Sequence, residues 1–373
     1  MTRPRFLYDD IGSYPAPEGI DKAWIRDAFA KIKSQSQSQS QSQLQSQSQS
    51  QDRTKFKLYK LLQDVLRQKI SAGVEVPTYP QFQDMITQFS EPIMDGERTE
   101  EPLLIKEEEA VILELDALEE LGAEYKEKKD GKKLKLRICV TGPIELYYKL
   151  FPPPVYTDML LNIANSIGRY IKHAIEKTKN FTIVCVALDE PSMGLDPRIE
   201  EEGIIAALEI ASDYAFHAGV DTQIHLHSPI FYETVFQVEQ IKVLGMESAA
   251  DPSLLTLIDK RELDSYDKFL RVGIARTDIL MMAAEYDEEH HTNAFKDEAV
   301  LNAVITEYNS PEKVTKRLEK AYASFGDRIK YVGPDCGLGP FHSQKLAYRV
   351  LKNTSDGITA FHALKQFQDQ EYS

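Results

Sequence analysis

The chain has 373 residues, of which 42% are apolar, and it carries a formal net charge of −15 at pH 7. This length allows one large domain or two ordinary ones, and the negative charge argues against nucleic acid or an anionic membrane surface as a main partner. No apolar run approaches the roughly twenty residues of a membrane span, and the N-terminal segment lacks the apolar centre of a signal peptide. Cys139, Cys185 and Cys336 are too few and too scattered for a disulfide framework. We therefore expect a soluble protein of the reducing cytoplasm.

Residues 34–51 are an almost pure alternation of serine and glutamine, broken once by Leu44. Such a tract cannot bury enough apolar surface to offset the entropy of ordering it. We expect a disordered loop or a ragged helical insertion between two helical stretches, Asp21–Lys33 and Lys55–Ala72. Aggregation of the glutamine-rich tract is an alternative that its composition leaves open.

The rest of the chain alternates strand-like apolar runs with helical stretches. Strands are predicted at Phe6–Ser13, Leu136–Val140, Phe181–Leu188, Thr222–His225, Lys242–Met246, Lys268–Ile274 and Arg328–Gly333, with an eighth near Val74–Pro77. Helices are predicted at Glu107–Leu121, Met159–Thr178, Glu200–Ala218, 230–240, Glu312–Phe325 and Ser343–Lys352. A charged hairpin is predicted across Tyr125–Arg137, turning at Asp130-Gly131.

Continuous apolar strands that alternate with helices indicate a parallel sheet covered on both faces. Eight strand–helix units in about 350 residues are typical of a (β/α)₈ TIM barrel. A doubly wound open sheet is the alternative, but it usually carries its polar residues at one crevice. Polar clusters follow at least six of the predicted strands. We therefore expect one catalytic barrel over residues 1–373, with its site at the carboxyl ends of the strands and residues 34–51 as an insertion.

Two histidines, a glutamate and a cysteine follow three of these strands. His225 and His227 are two apart on one strand, so their side chains point to the same face. Glu247 follows the next strand, and Cys336 lies in a turn of small residues after the last one. Taken singly, each has an ordinary structural role: a satisfied histidine, a salt bridge, a small buried thiol. Together they suit one tetrahedral zinc ion.

The motifs at these strand ends occur together in a known family. They are Ile11-Gly12-Ser13-Tyr14-Pro15, Thr141-Gly142-Pro143, Asp189-Glu190-Pro191, the His225-x-His227 pair, Glu247 and Pro334-Asp335-Cys336-Gly337-Leu338. In this order they make the chain resemble the C-terminal catalytic half of cobalamin-independent methionine synthase, in its short, single-domain archaeal-type form. That family belongs with uroporphyrinogen decarboxylase in one superfamily. The resemblance implies a zinc-containing (β/α)₈ barrel that moves a methyl group onto the thiol of homocysteine.

The resemblance also assigns the metal ligands. It implies that His225, Glu247 and Cys336 bind zinc, and it places His227 where the family usually has a second cysteine. Imidazole is also a good zinc ligand, so His227 is expected to complete the set. The exchange replaces an anionic ligand with a neutral one and leaves the metal a stronger Lewis acid.

For the substrate, the resemblance implies that Ile11, Gly12 and Ser13 hold the carboxylate of homocysteine, while Asp189 holds its ammonium group. An alternative for Asp189 is the cap of a helix ahead of Pro191. Tyr79-Pro80-Gln81 and Asp84-Met85 are expected to line the mouth of the barrel, with ordinary packing as the alternative.

The methyl donor stays open between a methylcorrinoid, carried or not by a corrinoid protein, and a methylated pterin or folate. Family members acting on folate carry a histidine after the seventh strand, where this chain has Ala275-Arg276-Thr277-Asp278. His290-His291 follow, and we expect them on a charged surface stretch. A donor whose leaving group needs no proton is therefore favoured.

Other functions fit the same pattern. One is alkyl transfer to a different thiol such as coenzyme M, and another is a barrel that binds a metal or a corrinoid protein without turnover. Uroporphyrinogen decarboxylase shares the fold but needs no metal, and Cys336 with the His225-x-His227 pair argues against it.

Overall fold

A computed structural model describes residues 6–38, 45–195 and 197–371 of the chain. Its centre is a curled parallel sheet of seven strands: β1 (Leu7–Tyr8), β4 (Leu134–Thr141), β5 (Phe181–Asp189), β6 (Asp221–Leu226), β7 (Val243–Met246), β8 (Phe269–Ala275) and β9 (Ile329–Pro334). The strands lie in the order β1-β9-β8-β7-β6-β5-β4. A separate antiparallel ribbon joins β2 (Thr99–Glu101) and β3 (Leu104–Ile105).

Thirteen α-helices occur within the described residues. They are α1 (Lys22–Ser38), α2 (Gln45–Ser71), α3 (Met85–Met94), α4 (Leu113–Lys128), α5 (Pro143–Leu150), α6 (Thr157–Lys177), α7 (Glu201–His217), α8 (Tyr232–Gln237), α9 (Lys260–Ser265), α10 (Ile279–His290), α11 (Glu298–Tyr308), α12 (Pro311–Phe325) and α13 (Gln344–Glu371). None of the helices in this part of the chain is long and apolar enough to cross a bilayer.

The strands form where the sequence offers apolar residues on both faces of the sheet. All but two residues of β5 are buried, and β8 is buried from Leu270 to Ala275. Helices cover the outside; α6 buries Ile163, Ile167 and Ile171 along one face. This arrangement confirms the parallel α/β class predicted from the sequence.

The regular sheet has seven strands, not the predicted eight. The segment around Val74–Pro77 makes isolated parallel bridges instead, from Val76 to Asp9 and from Thr78 to Arg137. The amide of Arg137 also donates to the carbonyl of Pro77. The segment therefore spans from β1 to β4 without forming a strand. Pro77 and Pro80 lack amide protons, so a continuous ladder is excluded there.

The predicted hairpin across Tyr125–Arg137 is wrong. Helix α4 continues past Gly122 to Lys128, and β4 begins at Leu134. Gly122 lies inside the helix, where its small size permits a close contact: a Cβ there would lie 3.0 Å from Asn180. Asp130 and Gly131 do form a turn with positive φ angles, but the turn joins a helix to a strand.

The Ser/Gln tract lies partly outside the described residues. Helix α1 ends at Ser38 and α2 begins at Gln45, so the helices on either side include the ends of the tract. Residues 39–44 lie outside the described ranges. The predicted disorder of 34–51 stays a prediction.

A network of buried charges lies among the strands. Asp9 accepts from the guanidinium of Arg271 at 3.0 Å and lies 3.7 Å from that of Arg137. Asp10 pairs with the ammonium group of Lys69 at 2.7 Å. All five side chains are 0–1% exposed. Because these pairs join the residues after β1 to β4, β8 and α2, they fix the position of the segment that leads to Ile11.

Candidate metal centre

The parallel register brings the ends of β5, β6, β7 and β9 to one edge of the sheet. Asp189, the last residue of β5, is aligned with His225 on β6. His227 follows the end of β6, Glu247 follows β7, and Cys336 lies two residues after β9. The ligand atoms of these two histidines, the glutamate and the cysteine all lie within 4.8 Å of one another. Residues more than 100 positions apart thus meet in one cluster, which we call the metal cluster.

Distances within the metal cluster fit a zinc site. Glu247 Oε1 lies 3.6 Å from His225 Nε2 and 3.4 Å from His227 Nε2. Ligands of a tetrahedral zinc ion, with bonds of about 2.0–2.3 Å, are about 3.3–3.8 Å apart. Neither ring nitrogen of His225 has a hydrogen-bond partner among the described residues, although the side chain is 3% exposed. A buried, unpartnered imidazole is costly unless something else binds it.

The charges of the metal cluster also depend on one another. Burial raises the pKa of Glu247, but its contacts with His225 and His227 outweigh this and hold the pKa below its usual value. Burial, followed by the Glu247 carboxylate, raises the pKa of the Cys336 thiol well above its ordinary value. Without a cation the thiol therefore stays protonated. A divalent ion would supply the positive charge that a thiolate at this position requires.

The two loops that carry Glu247 and Cys336 are tied together by Asp335. Its carboxylate accepts from the amides of Ala249 at 2.8 Å and Ala250 at 2.9 Å. Gly273 on β8 makes room for this contact, since a Cβ there would collide with Asp335 Oδ1. Burial raises the pKa of Asp335 to about 7. The amide of Cys336 donates to the hydroxyl of Thr277, which anchors the same turn to the end of β8.

A cavity of about 340 Å³ opens beside the metal cluster. We call it the rim cavity. Its lining contains both histidines and Cys336 of the metal cluster, together with three residues expected to hold a substrate, Ile11, Ser13 and Asp189. The full lining is Ile11, Ser13, Gln81, Gln83, Asp84, Met85, Asp189, Pro191, His225, His227, Cys336 and Gly337. Gly12 is not in the lining; its Cα faces the side chain of Gln81, which occupies the space of a Cβ. The hydroxyl of Ser13 accepts from the amide of Gly339 at 3.3 Å and keeps its own proton to donate.

Asp189 enters the rim cavity with one carboxylate oxygen free. Its Oδ2 accepts from the thiol of Cys139 at 2.8 Å, whereas Oδ1 has no partner among the described residues. Asp189 does not cap a helix, because the next regular helix begins at Glu201. Its neighbour Glu190 does: the fully buried carboxylate accepts from the amides of Ile144 and Glu145 at the start of α5. The two adjacent carboxylates therefore have different roles.

The loop after β8 offers no imidazole to the rim cavity. Arg276 is held by Asp278 and Glu285, at 2.6 and 2.9 Å. His290 and His291 are exposed at the end of α10, as expected from the sequence. Among the described residues that line the cavity, the only histidines are those of the metal cluster.

Some residues of the site were missed at the level of sequence. Gln83 lines the cavity, Cys139 orients Asp189, and Asp335 ties two loops together. A pattern was available for Cys139, because it lies two residues before Thr141 on β4 and so shares its face. The contacts of Asp335 cross 86 residues of chain and have no local pattern.

The fold is similar to that of two solved structures. A B12-independent methionine synthase from Shewanella sp. W3-18-1, in complex with selenomethionine, has a TM-score of 0.59 at 14% identity, covering 98% of this chain and 99% of that one. A methyltransferase from Methanosarcina mazei has a TM-score of 0.50 at 12% identity, covering 100% of this chain and 95% of that one. No family model and no curated sequence matches the chain. At these identities the similarity establishes the fold.

Proposed function

We propose that the protein is a zinc-dependent methyltransferase that transfers a methyl group to the thiol of homocysteine and forms methionine, within a (β/α)₈ barrel. One observation carries the proposal: the metal cluster opens into the same cavity as Asp189, Ser13 and Ile11. The residues that could hold a metal thus face the residues to which we assign binding of the amino acid. The similarity in fold to a methionine synthase and to a methyltransferase supports it.

The ligand set is two neutral imidazoles, one carboxylate and one thiolate. With Zn²⁺ the sum of charges would be zero, whereas a second thiolate in place of His227 would make it −1. Less negative charge would therefore oppose an incoming thiolate. When bound, the ion supplies the positive charge that removes the proton from a substrate thiol at neutral pH. His227 is about half exposed, which makes it the ligand nearest to the solvent side of the set.

The protein groups orient the amino acid. Asp189 Oδ1 accepts from the ammonium group, and the Ser13 hydroxyl, with the backbone of Ile11, binds the carboxylate. The substrate sulfur is then directed to the metal cluster, and the thiol proton leaves to solvent. In the transfer, the bond between sulfur and the methyl carbon forms as the bond between that carbon and the donor breaks, so orientation dominates the barrier.

The donor that fits best is a methylcorrinoid. A methylated pterin or folate releases a nitrogen that must be protonated, and the cavity lining offers no imidazole besides the two ligands. The other carboxylic acid in the lining, Asp84, accepts from two amides of α3. A corrinoid leaves without a proton, so the residues present suffice.

Zinc content tests the metal assignment. We expect close to one zinc per chain in the wild type, and much less in Cys336→Ala and His227→Ala. Cys185→Ala and His217→Ala are the matched controls, because Cys185 lies in the core and His217 is exposed on α7. An unchanged zinc content in both ligand variants would refute the assignment.

Product analysis tests the reaction. Zinc-loaded protein with homocysteine and methylcobalamin is expected to form methionine, detected by mass spectrometry, and to form less with a methylated folate. Coenzyme M serves as the competing acceptor; it has no ammonium group for Asp189, so its net charge is one unit more negative than that of homocysteine. Methylation of coenzyme M but not of homocysteine would show that the substrate is a different thiol. If the protein binds one zinc per chain but methylates neither thiol, the alternative that remains is a protein that binds a metal or a corrinoid protein without turnover.

A further inference from the structure

A second cavity of about 280 Å³ lies outside the sheet, next to the loop that carries Glu247. We call it the outer cavity. Its lining includes Ser248, Leu255 and Val272 on one side and Lys316, Arg317 and Lys320 of α12 on the other. It exists because the cover over β7 and β8 is thin: a 3-10 helix, Pro252–Leu257, and α9 have six residues each, whereas α6 has 21.

The outer cavity is positively charged in a chain whose net charge is −15. Three cations line it and, among the described residues, no carboxylate does. Lys316 and Lys320 are four residues apart, so they lie on one face of α12. Neither of these exposed lysines forms an ion pair within 4.0 Å in the described part of the chain. Glu312, four residues before Lys316, interacts with Lys316 through space without an ion pair. The two ammonium groups therefore stay available to a shared anion on this face.

Arg317 adds donors that are partly sheltered from water. Its Nη1 donates to the carbonyl of Ile274 at 3.3 Å and to the side chain of Asn309 at 3.4 Å. Within the described ranges, Nε and Nη2 have no acceptor. Burial lowers the pKa of this guanidinium, more than the nearby Asp335 raises it. Neither Nε nor Nη2 is fully buried, so both are accessible to an anion in the cavity.

The other wall is apolar. Val272 belongs to β8, and Pro252 and Leu255 belong to the 3-10 helix above it. A small hydrated anion gains no binding free energy from this wall, whereas an anion attached to an apolar group gains it by burying that group. A phosphate group carries about −1.5 to −2 charges near pH 7 and accepts hydrogen bonds in the geometry that guanidinium and ammonium groups donate.

We propose that the outer cavity is a binding site for a small phosphate ester, with its phosphate held by Lys316, Arg317 and Lys320 and its apolar body against Val272 and Leu255. Ser248 lines this cavity and directly follows Glu247. The occupant therefore contacts the loop that carries one residue of the metal cluster. The site is independent of the proposed methyl transfer.

Phenyl phosphate is the probe, because it joins a phosphate to an apolar ring. Binding is measured by calorimetry on the metal-depleted full chain, so that no ion at the metal cluster can hold the phosphate. We expect saturable binding that is tighter than that of inorganic phosphate or phenol and that weakens as sodium chloride is raised. Absence of saturable binding to the wild type would overturn the proposal.

Paired variants locate the site. Lys316→Glu with Lys320→Glu is expected to lower the affinity at least about tenfold, since two charge-assisted contacts are reversed. Lys132→Glu with Lys133→Glu makes the same change in net charge on the exposed loop before β4, and it should leave the affinity within about twofold of the wild type. Equal losses in the two double variants would mean that phosphate responds to overall charge alone, which also overturns the proposal.

Discussion

Two buried polar regions of this protein lie close to each other and differ in one respect. In the network of Asp9, Asp10, Lys69, Arg137 and Arg271, every charge has an opposite charge within 4.0 Å. In the metal cluster and the rim cavity, both ring nitrogens of His225 and one oxygen of Asp189 have no hydrogen-bond partner in the described part of the chain. In the first region every charge is satisfied by an opposite charge of the protein itself, although Asp9 Oδ2 and Asp10 Oδ2 make no hydrogen bond, and these ion pairs hold the fold. The second is satisfied only when something binds.

The largest expected effect comes from breaking the satisfied region. Arg271→Met removes the cation that lies 3.0 Å from Asp9 and leaves a carboxylate in the core with a single partner at 3.7 Å. We expect the free energy of unfolding to fall by about 3–5 kcal/mol in urea titrations. Arg328→Met, which breaks ion pairs to the exposed Asp264 and Asp267, is the control and should cost less than about 1 kcal/mol. Equal losses of unfolding free energy in the two variants would show that the buried ion pairs contribute no more than the exposed ones.

The tie between the two ligand loops should depend on pH. Burial raises the pKa of Asp335 from 3.8 to about 7, so the folded chain holds a proton that the unfolded chain releases. The contribution of this group to stability is complete below about pH 4 and is lost as the pH rises through about 7. About three pKa units correspond to about 4 kcal/mol at most.

Asp335→Asn should remove this dependence in metal-depleted protein. The difference in unfolding free energy between wild type and variant is therefore expected to change steadily between pH 4 and pH 7.5. Asp251→Asn, an exposed cap of a 3-10 helix, is the control. A difference that stays constant with pH would show that Asp335 does not titrate in this interval.

Filling the unsatisfied region should stabilise the fold. Zinc at a free concentration of 100 times its dissociation constant is expected to add about 2.7 kcal/mol to the unfolding free energy of metal-depleted wild type. Cys336→Ala should gain much less at the same concentration, whereas Cys185→Ala should gain as much as the wild type. Equal stabilisation of all three proteins would place the metal elsewhere.

The smallest expected effect concerns the thiol that orients Asp189. Cys139→Ala removes a buried donor to Asp189 Oδ2, and loss of a bond worth about 1 kcal/mol corresponds to about a fivefold rise in the KM for homocysteine. The KM for 4-mercaptobutyrate, which lacks the ammonium group, should not change. Cys139→Ser retains a donor and should behave like the wild type, as should Cys185→Ala. A rise for both thiols would indicate a general packing defect.

The sequence was sufficient to locate the seven strands of the regular sheet and to bring the residues of the metal cluster together. Long apolar runs such as β5 predict buried parallel strands, and the residue after each run falls at the same edge of the sheet. That rule, joined to the resemblance in motifs, brought His225, Glu247 and Cys336 together. The structure confirms that they lie close together, whereas zinc binding itself stays a proposal.

The sequence was insufficient where the structure depends on contacts between residues that are far apart in the chain. Asp9 and Arg271 are 262 residues apart, and nothing local distinguishes them from surface charges. At Val74–Pro77 the apolar residues suggest a strand, but the prolines prevent its ladder. Gly122 is a glycine because Asn180 approaches it closely and not because the helix ends there, a distinction that no turn rule makes.

Asp189 and Glu190 stand side by side at the end of β5, one facing the rim cavity and the other seated under the first turn of α5. Because neighbours along a strand point in opposite directions, the number of residues in β5 decides which of the two acids faces the cavity. Deleting one residue between Phe181 and Leu188 would turn Glu190 toward the rim cavity and withdraw Asp189 from it. Apolar residues of β5 can therefore be replaced by others of similar volume without altering which acid faces the cavity, whereas a change in their number would alter it.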